Sequence, residues 1–196
     1  MAVGKTTVAN YVKEHNQIVT LYKEENEGTI AEVKSRNLKK DIYEDYLEIQ
    51  RIWIRHTIER IKRAQKDPFA LLDYGAEEIE FYTLFYPLSI GKNWNVQEKL
   101  KYELSTLRCY YSSRILFLDA SLETLKERKT CDLSRSRLFF EHSTEKLLPL
   151  KRKWFLSRND VDYLLTEGKS IEEVGDMVCS WVRSNCTPLI EDADNI

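Results

Sequence analysis

Two kinds of apolar run alternate along the chain. Short runs stand at Ile18–Tyr22, Phe69-Ala-Leu-Leu72, Arg114-Ile-Leu-Phe-Leu118 and Val161–Leu165, and each reads as a strand. Between them apolar positions recur at three- and four-residue steps, the period of a helix with one buried face. One such stretch runs from Lys5 to Glu14, with Val8, Ala9 and Val12 on its apolar side. A longer one runs from Asp41 to Lys66, carrying Tyr46, Leu47, Ile49, Trp53, Ile54, Ile58 and Ile61. Others cover Glu77–Tyr86, Gln97–Tyr110, Ser121–Lys129 and Glu145–Leu156, and the last, to about Val182, opens on the capping-box spacing Ser170-Ile-Glu-Glu173. Strands and helices in this order predict an α/β domain with a doubly wound parallel sheet.

Polar punctuation supports the division. Glu24 to Gly28 reads as a bend, Asp67-Pro68 ends the long helix, and Pro87 to Asn95 reads as a loop. The block from Thr130 to His142 is charged and lacks continuous apolar surface, and the residues after Pro188 are acidic. The expectation is one domain over residues 1–187, with a small lid at about 128–142 and a frayed tail at 188–196.

Composition narrows the function classes. Of 196 residues, 42% are hydrophobic, enough for a true core. A net charge of −2 leaves no global basic field for binding nucleic acid or anionic membrane. Cys109, Cys131, Cys179 and Cys186 form no CxxC pair, and His15, His56 and His142 are far apart, which argues against a zinc site or a disulfide framework. With no membrane-length apolar run and no signal-peptide pattern, the expectation is a cytoplasmic protein with reduced thiols. Apolar helices flanking the sheet are compatible with a homodimer.

The chemistry begins at Ala2-Val3-Gly4-Lys5-Thr6-Thr7, which runs straight into a helix and matches the second half of a Walker A loop, G-x-x-x-x-G-K-[ST]. Gly4 lets backbone amides turn toward phosphate oxygens, and the helix N-terminus adds partial positive charge. Lys5 suits β- and γ-phosphates, Thr6 offers a hydroxyl to Mg²⁺, and Thr7 lies beside it for the α-phosphate. The loop's first glycine and its strand would precede Met1, so the expectation is that the chain continues upstream. Farther on, Phe69-Ala-Leu-Leu72 delivers Asp73 to a strand's C-terminal end, where open α/β sheets hold ligands.

Together these features resemble the thymidylate-kinase-like and deoxynucleoside-kinase-like P-loop families. The shared parts are Gly4-Lys5-Thr6, the strand ending in Asp73, Ile115-Leu-Phe-Leu-Asp-Ala-Ser121, and an arginine-bearing lid; Tyr74 stands where many relatives carry arginine. The resemblance implies strand order 2-3-1-4-5, with strand 1 before Met1, and transfer of the γ-phosphoryl group of Mg·ATP to a nucleoside, a nucleoside monophosphate or a similar small acceptor. Asp73 would join Thr6 at Mg²⁺ or steer the acceptor hydroxyl. Arg128, Arg135 and Arg137 would close over the γ-phosphate. Glu24 or Glu25 occupies the place of a glutamate that takes the acceptor's proton. Gln50 resembles a base-recognising glutamine, with Tyr46 and Trp53 flanking a flat ring, and Glu78 stands with Glu77 and Glu80 beside the Asp73 turn. Two alternatives stay open: a kinase for a non-nucleotide alcohol of the antibiotic type, and a nucleotide-binding module without catalysis.

Overall fold

A computed structural model describes residues 3–131 and 139–186. Gly4 adopts a left-handed conformation (φ 88°, ψ 10°) and caps α1 (Lys5–His15), whose buried face is Val8, Ala9 and Val12. After β1 (Thr20–Tyr22) the expected bend is instead the start of α2 (Glu27–Ser35), capped at Asn26. Gly28 reads as a turn residue, yet the helix formers Glu27, Ala31, Glu32 and Lys34 outweigh its cost of about 1 kcal/mol.

The long helix α3 (Tyr43–Ala64) leads to β2 (Ala70–Leu72) and then to α4 (Ala76–Ser89). Here Pro87 lies inside the helix rather than opening a loop. Proline has no N–H to give the carbonyl four residues back, but the Tyr46 hydroxyl donates to that Thr83 carbonyl at 3.0 Å. A tertiary contact thus fills the lost bond.

The stretch expected as one helix breaks at Leu100 into α5 (Val96–Lys99) and α6 (Lys101–Arg108). Then follow β3 (Ile115–Asp119) and α7 (Leu122–Cys131); α8 (Phe140–His142), a π-helical turn at Ser143–Leu147 and α9 (Leu148–Leu156) come next. The chain closes with β4 (Val161–Leu165) and α10 (Ile171–Asn185). Both halves of the capping box form: Ser170 Oγ accepts from Glu173 N at 3.2 Å, and Glu173 Oε2 from Ser170 N at 2.7 Å. No helix among the described residues is long and apolar enough to cross a membrane.

The single doubly wound sheet expected above is corrected to two parallel pairs, β1–β2 and β3–β4. In the order 2-3-1-4-5 they stand as 2-3 and 4-5. Among the described residues no strand joins them, because a groove of about 390 Å³ reaches from Ala70–Leu72 to Ile115, Leu116 and Leu118. Val8 on one side helix and Val178 and Val182 on another line it as well, so α1 and α10 bridge the two pairs. A second apolar layer joins α3, α4 and α6 through Tyr46, Leu47, Ile79, Leu104 and Leu107. Asp73 follows β2 and Thr166 follows β4, and both lie near the Gly4 turn, so the C-terminal ends of both pairs share one edge.

Candidate functional site

Val3, Gly4, Lys5, Thr6 and Thr7 line one end of a cavity of about 970 Å³. The left-handed φ of Gly4 has a physical reason, since any Cβ there would be strained where the chain turns into α1. Thr6 Oγ1 donates to Asp73 Oδ2 at 3.0 Å, bringing the β2 end to the helix start. The other Asp73 oxygen, Oδ1, is buried and has no hydrogen-bond partner. Lys5 Nζ stands 3.7 Å from it, an ion-pair separation too long for a hydrogen bond.

Lys5 has further neighbours. Its ammonium lies 3.5 Å from Glu78 Oε2 and 4.7 Å from the centre of the Tyr74 ring. Tyr74 therefore supports the lysine through its π face. An arginine does approach this edge, from α3: Arg60, 4% exposed, donates to the carbonyls of Lys23 (2.9 Å) and Tyr74, tying the ends of β1 and β2 together. Burial disfavours its charge, which the surrounding Glu25, Glu24 and Asp73 support. Sequence reasoning missed Arg60, although it sits on the buried stripe of α3 with Thr57, Ile61 and Ala64.

The acceptor-side residues divide. Glu24, Gln50, Trp53 and Glu78 line the same cavity as Lys5. Glu25 does not; its carboxylate pairs with Arg63 on the outer surface. Gln50 is buried and its Oε1 accepts from Thr83 Oγ1 at 2.8 Å, which fixes the amide plane. Tyr46, Trp53, Tyr74, Tyr82 and Tyr86 give this end aromatic walls.

Glu78 occupies the first turn of α4, where the helix dipole suits an anion. Burial pushes its carboxyl pKa up, but the ammonium groups of Lys151 and Lys5 more than reverse this and hold it at about 2. Lys151 is a second residue that sequence reasoning missed. Its signal was a lysine in register with Leu147, Leu148 and Phe155 on an apolar stripe.

Arg128 also borders the cavity, but its guanidinium is engaged: it donates to Thr166 Oγ1 at 2.8 Å, to the Thr166 carbonyl at 2.6 Å and to the Val3 carbonyl at 3.4 Å. It fastens the loop before Gly4 to the end of β4. Ala2, Arg135 and Arg137 lie outside the described residues.

The donor set fits a magnesium ion. A buried carboxylate oxygen without a partner, next to a threonine hydroxyl, offers the hard oxygen ligands Mg²⁺ prefers. Among the described residues no group of three His, Cys, Asp or Glu side chains is placed to hold a metal.

A family model described as an AAA domain matches residues 2–148, a span that takes in the Gly4 turn, Asp73 and the aromatic wall. No curated protein matches the chain.

Proposed function

The chain belongs to the AAA-domain family, whose fold is a P-loop α/β fold that serves nucleotide binding with hydrolysis or phosphoryl transfer, and we propose that this member is a small-molecule kinase. It would move the γ-phosphoryl group of Mg·ATP to a nucleoside or nucleoside monophosphate. The observation that carries this reading is the continuity of one cavity. It runs from Gly4–Thr7, whose Thr6 hydroxyl is bonded to the buried Asp73 carboxylate behind it, to the aromatic wall around Gln50. A hydrolase needs room only for water beyond the phosphates, whereas this space extends to a wall formed by Trp53, Tyr74, Tyr82 and Tyr86.

Each residue has a task in that reading. The Gly4 turn and the start of α1 bind phosphate through backbone N–H groups. Lys5 would neutralise the β- and γ-phosphates, and Thr6 and Asp73 would hold a magnesium ion, which would supply charge neutralisation at the transferring group. Glu24 and Glu78 face the acceptor's hydroxyl. Trp53 and Tyr82 stack on a ring, with the buried Tyr46 behind them, and Gln50, its Oε1 held by Thr83, directs its NH₂ to a ring acceptor atom. Positioning and electrostatics account for most catalysis of this kind.

The test is a screen with γ-labelled ATP and Mg²⁺ against nucleosides, nucleoside monophosphates and non-nucleotide alcohols. Label transfer to a nucleoside or monophosphate is expected. Transfer to the alcohols alone would move the assignment to a different acceptor class. Saturable ATP binding with no transfer to any of the three would leave a nucleotide-binding module.

A further inference from the structure

The cavity contains more charge than the phosphate-binding loop requires. Glu78 is bonded by two lysines at once: Oε2 faces Lys5 at 3.5 Å, and Oε1 accepts from Lys151. The two contacts differ in kind. Lys5 has a side chain 37% exposed and stands at the cavity edge, at a loose distance. Lys151 is 8% exposed, sits 5.5 Å from the Tyr82 ring and 5.7 Å from the Phe155 ring, and makes the closer contact. A lysine this deep is costly unless its charge is matched, and Glu78 is the carboxylate that matches it. The π-helical turn at Ser143–Leu147 lies just ahead of α9 and offsets the register in which Lys151 is delivered; such turns recur at functional sites.

Without nucleotide, Lys5 and Lys151 face Asp73 and Glu78, two cations against two anions. A polyphosphate at Gly4–Thr7 changes this, because Lys5 must turn to the phosphates and give up Glu78. An unmatched carboxylate would then stand close to incoming phosphate and oppose it. Lys151 prevents this while touching no ligand. We infer that Glu78 is a shared counter-ion, passed from Lys5 to Lys151 when nucleotide binds, and that the oxygen so released, Oε2, receives the O–H of the acceptor.

This deepens the proposed function and rests on it. Lys151 is a positioning residue, and Glu78 contacts the acceptor. Nucleotide and acceptor binding become coupled, with nucleotide opening the acceptor's hydrogen-bond site.

The test is equilibrium titration of the full chain with a non-hydrolysable Mg·ATP analogue. It compares wild type, Glu78→Gln, Lys151→Met, Lys151→Arg and the Glu78→Gln/Lys151→Met double variant, each checked for folding by thermal melting. Glu78→Gln is expected to bind the analogue several-fold more tightly, since Lys5 no longer leaves a carboxylate, and to raise the acceptor KM in a parallel turnover assay with ATP. Lys151→Met is expected to bind about tenfold more weakly, within the usual range of coupling between sites. Lys151→Arg keeps wild-type affinity, and the double variant follows Glu78→Gln, because Lys151 acts only through the Glu78 charge. Weaker binding by Glu78→Gln, or an equal loss from Lys151→Met in both backgrounds, overturns the handover. The first criterion holds even if Lys151→Met does not fold. Failure of the wild type to bind the analogue removes the nucleotide reading and the handover together, so the two failures are distinguishable.

Discussion

Asp73 and Asp119 stand at equivalent places in the two halves of the fold, one just past β2 and one at the end of β3, and they are equally buried at 4% and 3% exposure. Their surroundings differ. Asp119 receives Arg152 Nε at 2.6 Å and Nη2 at 2.8 Å, the Tyr163 hydroxyl at 2.7 Å and the Ala120 N–H at 2.9 Å. Burial would push its carboxyl pKa up, yet the bonds from Arg152 and Tyr163 bring it below the usual value. Among the described residues the Asp73 side chain receives one hydrogen bond, from the Thr6 hydroxyl, while its other oxygen has no hydrogen bond and stands 3.7 Å from the Lys5 ammonium. A carboxylate with its lone pairs filled joins α9 and β4 to β3. One with a hydrogen-bonding position left open beside Thr6 and Lys5 is the exception among buried groups, and the proposed function gives it a reason.

The sharpest way to break this comparison is to remove the two charges in turn. Asp73→Asn is expected to lower phosphoryl transfer by about a thousandfold, the upper range for losing one electrostatic contact to a transition state. Its melting temperature should stay level or rise, because beyond the Thr6 bond only a loose 3.7 Å ion pair with the partly exposed Lys5 is lost. Thermal melting beside single-turnover transfer checks both halves. A destabilised Asp73→Asn with transfer intact would make Asp73 a structural residue like Asp119.

Asp119→Ala should behave the other way. It leaves the Arg152 guanidinium, about a third exposed, without its bidentate partner. Fully buried pairs cost about 3–5 kcal/mol to break, and partial solvation of Arg152 reduces this to about 2–4 kcal/mol. For a chain of this size that is a fall of roughly 6–12 °C in melting temperature. Nucleotide affinity at temperatures where the variant is folded should match wild type; a selective loss of affinity would place Asp119 in the site.

How far the sequence disclosed this contrast depended on the range of the forces involved. Local signals were legible. The run Val161–Leu165 is a strand over those same residues, the Ser170–Glu173 box opens α10, and Gly4 turns into a helix at Lys5. The assembly of Gly4–Thr7 with Asp73 was legible too, because a strand-end carboxylate and a phosphate loop must share the ligand edge of such a sheet.

What escaped was set by distant partners. Pro87 stays helical through a hydroxyl from Tyr46, and Glu25 is turned outward by Arg63, which pairs with it across 38 residues of sequence, while Glu24 lines the cavity. Arg128, a lid cation by its neighbourhood, is fastened to Thr166 and Val3. Lys151 and Arg60 look like surface charges until their apolar stripes are aligned with the helix period. Strand patterns carry no pairing information, but the two pairs are those left when strand 1 of the expected order lies before Met1.

The finest test concerns one bond on the filled side of the comparison. Tyr163 gives Asp119 a neutral hydrogen bond at 2.7 Å, and its ring is 42% exposed, so water can replace much of what Tyr163→Phe removes. The expected cost is about 1 kcal/mol, read from urea unfolding at pH 7. The pH dependence gives the sign. Burial, then the bond to Asp119, raises the Tyr163 phenol from 10.0 to about 12, so the folded state favours the protonated form. This contribution is complete below pH 10, where the unfolded phenol is still protonated, and is lost as pH rises through about 12. Wild type should therefore exceed Tyr163→Phe by a constant margin from pH 7 to 9, and the margin should shrink as pH climbs beyond 10. A margin that widens with pH would mean that Asp119 does not accept this proton, and the picture of a fully satisfied carboxylate would lose one of its four donors.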